Sequence, residues 1–412
     1  MKVLYVDGDG PFGGASRSLF EAVRALPLGA VEPRFIGTRG TAMDFYKQVA
    51  KDIVIARGLT KFDNTRYSHY RGIRWVILLR ELYHFPFTIA ALLEAKRRWG
   101  SVDVVHVNDA VYIVPALIAK WFFRAPLVVH VRSLGWVDEG SLRCRWLNAT
   151  LRRWADGVVA IDENTRATLP AAMSVEVIHN SFTAKRAAVP DLAFMKKLAV
   201  LRAGSLKVGF VGNLHHSKGL FDMLEAAKLL RRTGRDIEFV IVGGVTLVDK
   251  GLKAWLLAKA GLAQNVAADL AQRVEEAGLG DTFHLMGATL DIKAVYDSID
   301  VLCFSSHYDA PGRPVFEAAF SSVPCIVSVD HPRPDTLIDG ETGLAIPARD
   351  PARLAQAILH FADRPHEVQR MGANALKLAQ ANFDPETNAS LLLAVYANVI
   401  RRAAAVVAAP NA

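Results

Sequence analysis

Short runs of apolar, β-branched residues alternate along this chain with longer stretches whose apolar positions recur at helical spacing. The first series of runs falls at 3–6, 34–37, 52–55, 103–107, 127–131, 157–161 and 176–178. A second series follows at 207–211, 237–242, 282–286, 301–304, 325–327 and 344–346. These runs are apolar nearly throughout rather than alternating, the pattern of strands covered on both faces, and helices between them provide the covering layers. The reading is an α/β fold of two doubly wound parallel sheets, with domains at 1–190 and 205–385. The boundary is expected between about 181 and 205, where 183–200 is polar to mixed and carries Lys185, Arg186 and Pro190. After Asp384-Pro385, the residues Leu391, Leu392, Val395, Tyr396, Val399 and Ile400 keep helical period, so a long terminal helix over 386–412 is expected, with nothing of its own to pack on.

Composition agrees with this picture and narrows it. The 412 residues are 51% hydrophobic and 22% charged, which excludes a disordered or collagen-like chain and supports two or three domains. Three scattered cysteines, Cys144, Cys303 and Cys325, show no CxxC spacing, which argues against a disulfide framework or a zinc site and fits a reducing cytosol. Only four apolar residues separate Lys2 from Asp7-Gly8-Asp9-Gly10, too few for a signal-peptide core. The longest apolar stretch, 111–131, is interrupted by Pro115, Lys120, Arg124, Pro126 and His130, so it is not a spanning helix. The expectation is a cytoplasmic chain, peripheral to a membrane at most.

Charge adds one regional feature. The net charge is +8, and the block 66–153 alone holds fourteen Lys/Arg against six Asp/Glu, so the excess lies there. Tyr67, Tyr70, Trp75, Tyr83, Phe85, Phe87 and Trp99 fall in the same block. A basic face rich in aromatics suits an anionic membrane surface or an acidic polymer. Nucleic acid is not expected, because no groove-reading motif accompanies the charge.

Three segments carry candidate chemistry, each directly after an expected strand. Gly13-Gly14-Ala15-Ser16-Arg17 opens a helix after the first strand, and exposed N–H groups there favour an anion. Gly212-Asn213-Leu214-His215-His216-Ser217-Lys218-Gly219 opens the second series, with Lys218 placed as a point charge on a phosphate. The third is Ser305-Ser306-His307-Tyr308-Asp309-Ala310-Pro311-Gly312-Arg313-Pro314-Val315-Phe316-Glu317. There Asp309 and Glu317 stand eight residues apart across Gly312, fit to close around the ends of one extended ligand, and Arg313 adds a charge suited to phosphate.

In order and spacing these segments resemble the GT-B glycosyltransferases, the retaining family-4 group in particular, over nearly the whole chain. Gly13-Gly14 with Arg17 matches that family's glycine loop, and Asn213 to Gly219 matches its G-R-x…K-G segment. Asp309 to Glu317 matches its E-x7-E pair, and Pro334 to Gly343 matches a P-E-x-x-x-x-G-x-x-G loop with Asp335 in place of Glu. The resemblance implies two facing Rossmann-like domains, with the terminal helix crossing back onto the first. It places a nucleotide-sugar donor, UDP- or GDP-linked, mainly on the second domain and a saccharide or lipid-linked saccharide acceptor mainly on the first, with transfer in the cleft. Glu317 then meets the donor's ribose and Asp309 its sugar, while Lys218 and the Gly13-Gly14 amides balance the diphosphate. No metal or other cofactor is implied.

Three departures qualify the match. Asn213 stands where many members have arginine, and Asp309 is one methylene shorter than the usual glutamate. On the strand ending Val129-His130-Val131-Arg132-Ser133, the family histidine falls on Arg132, with His130 two residues earlier on the same side; both are candidates, as are His106, Asn108 and Asp109. The expected activity is a retaining glycosyl transfer in cell-envelope or exopolysaccharide synthesis. The alternatives are a nucleotide-sugar epimerase of the same fold or a catalytically silent sugar-nucleotide binder.

Overall fold

The computed structural model describes residues 1–66, 68, 70–183, 190–244 and 266–408. Tyr67 of the basic block and Lys185 and Arg186 of the expected boundary lie outside the described residues. The chain forms two units, one of Met1–Phe182 with Phe383–Ala412 and one of Thr183–Asn382.

Unit 1 is built on seven parallel strands: β1 (Lys2–Asp7), β2 (Glu32–Thr38), β3 (Asp52–Ala56), β4 (Val104–Val107), β5 (Leu127–Val131), β6 (Gly157–Ala160) and β7 (Glu176–Val177). They run in the order β3-β2-β1-β4-β5-β6-β7. Unit 2 has six parallel strands: β8 (Leu206–Val211), β9 (Ile237–Val242), β10 (Phe283–Gly287), β11 (Val301–Phe304), β12 (Cys325–Ser328) and β13 (Gly343–Ile346), in the order β10-β9-β8-β11-β12-β13. Every expected apolar run is a strand, because parallel strands under two helical layers bury both faces and leave no alternation. In each sheet the chain order reverses beside its first strand, between β1 and β4 in unit 1 and between β8 and β11 in unit 2. A doubly wound sheet opens a crevice for ligands at that point, outside the strands' carboxyl ends. The residues that follow β1 and β4, and β8 and β11, are therefore the ones the fold presents.

The terminal helix Pro385–Ala408 belongs to unit 1. It buries Leu392, Tyr396 and Val399 in the same apolar cluster as Tyr5, Val104, Val128 and Val159, while Leu391 stays exposed. Burying three such side chains contributes several kcal/mol, at roughly 1.5–3 kcal/mol each. The stretch 111–131, weighed above as the longest apolar segment, folds as the helix Ile113–Phe123 followed by β5. Among the described residues the helix long and apolar enough to cross a membrane is instead Arg74–Trp99, whose four arginines, one lysine and two glutamates conceal it in the sequence. Its inward face, Glu81, Thr88, Ala91, Leu92, Ala95 and Trp99, is buried in unit 1.

Candidate active site

In unit 2, the loops after β8 and β11 are fastened to each other. Ser305 Oγ donates to the carbonyls of Lys218 at 3.2 Å and Gly219 at 3.0 Å, and the His307 N–H donates to the carbonyl of Ser217 at 2.8 Å. Gly219 takes a left-handed φ of 71° at the start of the helix Leu220–Arg231, and a Cβ there would lie 1.9 Å from the Ser305 carbonyl oxygen. Only glycine permits that approach. His307 Nε2 pairs with Asp222 Oδ2 at 2.7 Å, tying the second loop to the first turn of the same helix.

The fastened loops hold Lys218 over two aromatic rings, with its ammonium 5.1 Å from the centre of Tyr308 and 5.6 Å from that of Phe304. The side chain is half-buried, burial pulls its pKa below the usual lysine range, and among the described residues no carboxylate pairs with it. A desolvated ammonium without a counter-ion is a site for an anion. Asn213 is exposed at the start of the same loop.

Beyond the loop, Gly312 precedes the short helix Arg313–Ala319, and a Cβ on it would meet the Phe304 ring at 2.5 Å. Glu317 is buried. Arg313 approaches its Oε1 at 2.9 Å and Tyr296 OH donates to its Oε2 at 3.0 Å. Asp309 Oδ1 accepts the Asp330 N–H at 2.8 Å. Both carboxylates of the spaced pair are thus held by unit 2 itself.

In unit 1, the crevice beside β1 is lined by acids. Asp7 is buried and accepts from Ser16 Oγ at 2.8 Å and from Tyr46 OH; burial and the neighbouring Asp9 raise its pKa. Asp9 accepts from Lys61 Nζ at 2.8 Å and Tyr112 OH at 2.7 Å. Burial alone would raise the Asp9 pKa, but the Lys61 ammonium and these hydrogen bonds outweigh it and hold it below the usual range. After β5, Arg132 is part-exposed and donates to Asn108 Oδ1 at 2.5 Å and Asn180 Oδ1 at 2.7 Å. Ser133 Oγ donates to Asp109 Oδ2 at 2.6 Å, and burial pushes the Asp109 carboxyl up to about 6.

His130 lies beneath Arg132, its Nδ1 3.3 Å from an Arg132 nitrogen, and His106 Nδ1 meets Tyr396 OH of the terminal helix at 2.6 Å. Both rings are buried, and their Nε2 atoms have no hydrogen-bond partner among the described residues. Burial and the Arg132 charge lower both pKa values, His106 to about 3, so both are neutral near pH 7. Gly13 and Gly14 are exposed at the start of the helix Gly14–Ala25, and Arg17 pairs with Glu21 at 3.0 Å.

Two family models match the chain. The model of glycosyl transferases group 1 matches residues 195–378, and that of glycosyltransferase family 4 matches residues 12–186. The chain is a glycosyltransferase with a group 1 domain. It is 28% identical to a glycogen synthase of Mycobacterium tuberculosis (strain CDC 1551 / Oshkosh) over 74% of this chain and 70% of that one. To the lipopolysaccharide core biosynthesis mannosyltransferase LpsB of Rhizobium meliloti (strain 1021) it is 25% identical over 72% of this chain and 80% of that one. Among solved structures, Anabaena HepE in complex with UDP-glucose superposes with a TM-score of 0.70 at 19% identity, covering 96% of this chain and 99% of that one. That likeness shows the fold, GT-B.

For this glycosyltransferase, the structure gathers Lys218, Gly312, Arg313, Asp309 and Glu317 in unit 2 with Asn213 nearby in sequence. It gathers Arg132, His130, His106, Asn108 and Asp109 in unit 1, at the carboxyl ends of adjacent strands. Sequence reasoning passed over Lys61, Tyr112, Asn180 and Tyr296, which stand on other elements and make the hydrogen bonds that set the site's charges. Only Asp9, in a recognisable Asp-Gly-Asp-Gly loop, gave a signal that could have led to them.

Proposed function

We propose that this glycosyltransferase moves a sugar from a nucleoside diphosphate, UDP- or GDP-linked, to a hydroxyl of a saccharide or lipid-linked saccharide, with retention and without a metal, in building the cell envelope or an exopolysaccharide from the cytoplasmic side. One observation carries the reading: Lys218 is a half-buried ammonium with aromatic rings below it and no carboxylate partner among the described residues. A departing diphosphate gathers negative charge, and a positive group already fixed at that spot stabilises it without reorganisation. The UDP-glucose named for HepE and the mannosyl transfer named for LpsB support the donor and envelope parts. The reported relatives transfer or polymerise sugars, which favours transfer over epimerisation or silent binding.

Where the carboxylates stand supports a front-face route to retention. Glu317 is engaged on both oxygens and Asp309 accepts a backbone N–H, so neither is poised as a nucleophile. The acceptor hydroxyl then adds to the anomeric carbon on the face the diphosphate leaves. As that C–O bond forms, the sugar–phosphate bond breaks, and the leaving phosphate oxygen takes the hydroxyl proton. Incubation with UDP- and GDP-sugars, read by proton NMR of the first product, should show the donor's anomeric configuration, and chelator should leave the rate unchanged. An inverted product, or turnover of donor to a new sugar with no acceptor present, overturns the reading.

A further inference from the structure

The helix Ile77–Trp99 carries a surface that neither the core nor the strand-end groups use. With the preceding 3₁₀ turn Gly72–Val76 it sets Trp75, Leu79, Leu82 and Leu93 on one face at helical spacing, flanked by Val76 and Phe85. All six are exposed, Leu79 by 66% and Leu82 by 62%. A contiguous apolar patch of this kind marks an interface.

Charge identifies the occupant. Arg71 and Arg74 stand at one end of the stripe and Arg97 at the other, beside Arg98, which is ion-paired with Glu94 and Asp52; all lie inside the block 66–153 with its fourteen Lys/Arg and six Asp/Glu. A second copy would bring the same positive charge against it. A bilayer with anionic headgroups offers acyl chains to the stripe and negative charge to its ends. The helix does not span, because its inward face is built into unit 1.

We propose that this face seats unit 1 on an anionic bilayer, with the helix in the membrane plane and its apolar side chains inserted. The inward face links the seat to the crevice. Buried Glu81 accepts the Lys61 N–H at 2.5 Å, and the Lys61 ammonium reaches Asp9 beside β1 at 2.8 Å. The proposal deepens the functional reading by naming the surface on which a membrane-borne acceptor meets the enzyme, and it rests on that reading only for what the seating serves.

Co-sedimentation of the full chain with phosphatidylcholine vesicles, with and without phosphatidylglycerol, tests it. The chain should pellet with the anionic vesicles. The double substitution Leu79→Ser, Leu82→Ser should lower that partition by at least about tenfold, each lost methylene weakening insertion, and Leu290→Ser on unit 2 should not. No binding by the parent chain, or undiminished binding by the double variant, overturns the proposal. So does light scattering that shows a dimer which the double variant dissolves, since the face would then be covered by a second copy. Transfer to a soluble acceptor, assayed in the same samples, should be unchanged by the double variant; its absence throughout would count against the catalytic reading and leave the vesicle result to stand.

Discussion

The ends of β1 and β8 occupy the same place in two sheets of the same kind, yet they carry opposite charge. Beside β1 stand Asp7 and Asp9, and the cation that reaches them, Lys61, is already bonded to Asp9. Beside β8 stands Lys218, which has rings and no carboxylate among the described residues. The fold supplies a crevice in both units, and among the described residues the loop beside β8 offers a cation that no carboxylate pairs, which suits an anion. Removing the two lysines one at a time breaks the comparison most directly. Lys218→Ala should lower turnover by about 10²–10³, the roughly 2.7–4 kcal/mol that a transition-state donor contributes, while Lys61→Ala should cost less than about tenfold because its charge is spent inside unit 1. Nucleoside diphosphate release measures both, and equal losses would erase the distinction.

The glycines extend the contrast. At Gly219 a methyl group meets the Ser305 carbonyl oxygen in a left-handed backbone, so Gly219→Ala should destabilise the chain by about 3 kcal/mol. At Gly13 φ is −97° and a Cβ meets nothing within 4 Å. Gly13→Ala should hold stability to within about 1 kcal/mol, with any gain coming from the unfolded chain. Denaturant midpoints give both values. Activity lost by Gly13→Ala at full stability would show that the open space is used by a ligand.

The fold was legible because burial on both faces writes a strand as an unbroken apolar run, and runs such as 237–242 and 301–304 match β9 and β11 residue for residue. The site was legible only where its residues share one short stretch of chain, as Asp309 and Gly312 in a loop and Arg313 and Glu317 in the helix after it do. Their partners were not. Tyr296 reaches Glu317 from the helix Ile292–Tyr296, and Asn180 reaches Arg132 after β7, and no local period or spacing marks residues whose meaning is set by strand order. The helix 77–99 was passed over for a related reason. Its exposed apolar stripe and buried Glu81 invert the usual amphipathic pattern, so the sequence shows the aromatics and arginines without showing which way they face.

Burial without a countercharge bonded to it acts on both units, and a pH-dependent effect follows from it. In unit 2 it lowers the pKa of Lys218; in unit 1 it raises that of Asp109 to about 6, against the Ser133 hydrogen bond and the more distant Arg132 charge. Each shift favours the neutral form. For Asp109, between about pH 4 and about pH 6 the folded chain keeps a proton that the unfolded chain has released, so stability falls as pH rises through that window and stays low above it. Asp109→Asn is neutral throughout and can still accept the Ser133 hydroxyl. It should flatten the fall by about 2–3 kcal/mol, and its denaturant midpoint should exceed the parent's near pH 7 while matching it near pH 4. A variant that tracks the parent across the range would place the proton elsewhere in unit 1, with Asp7, also raised by burial, as the next residue to replace.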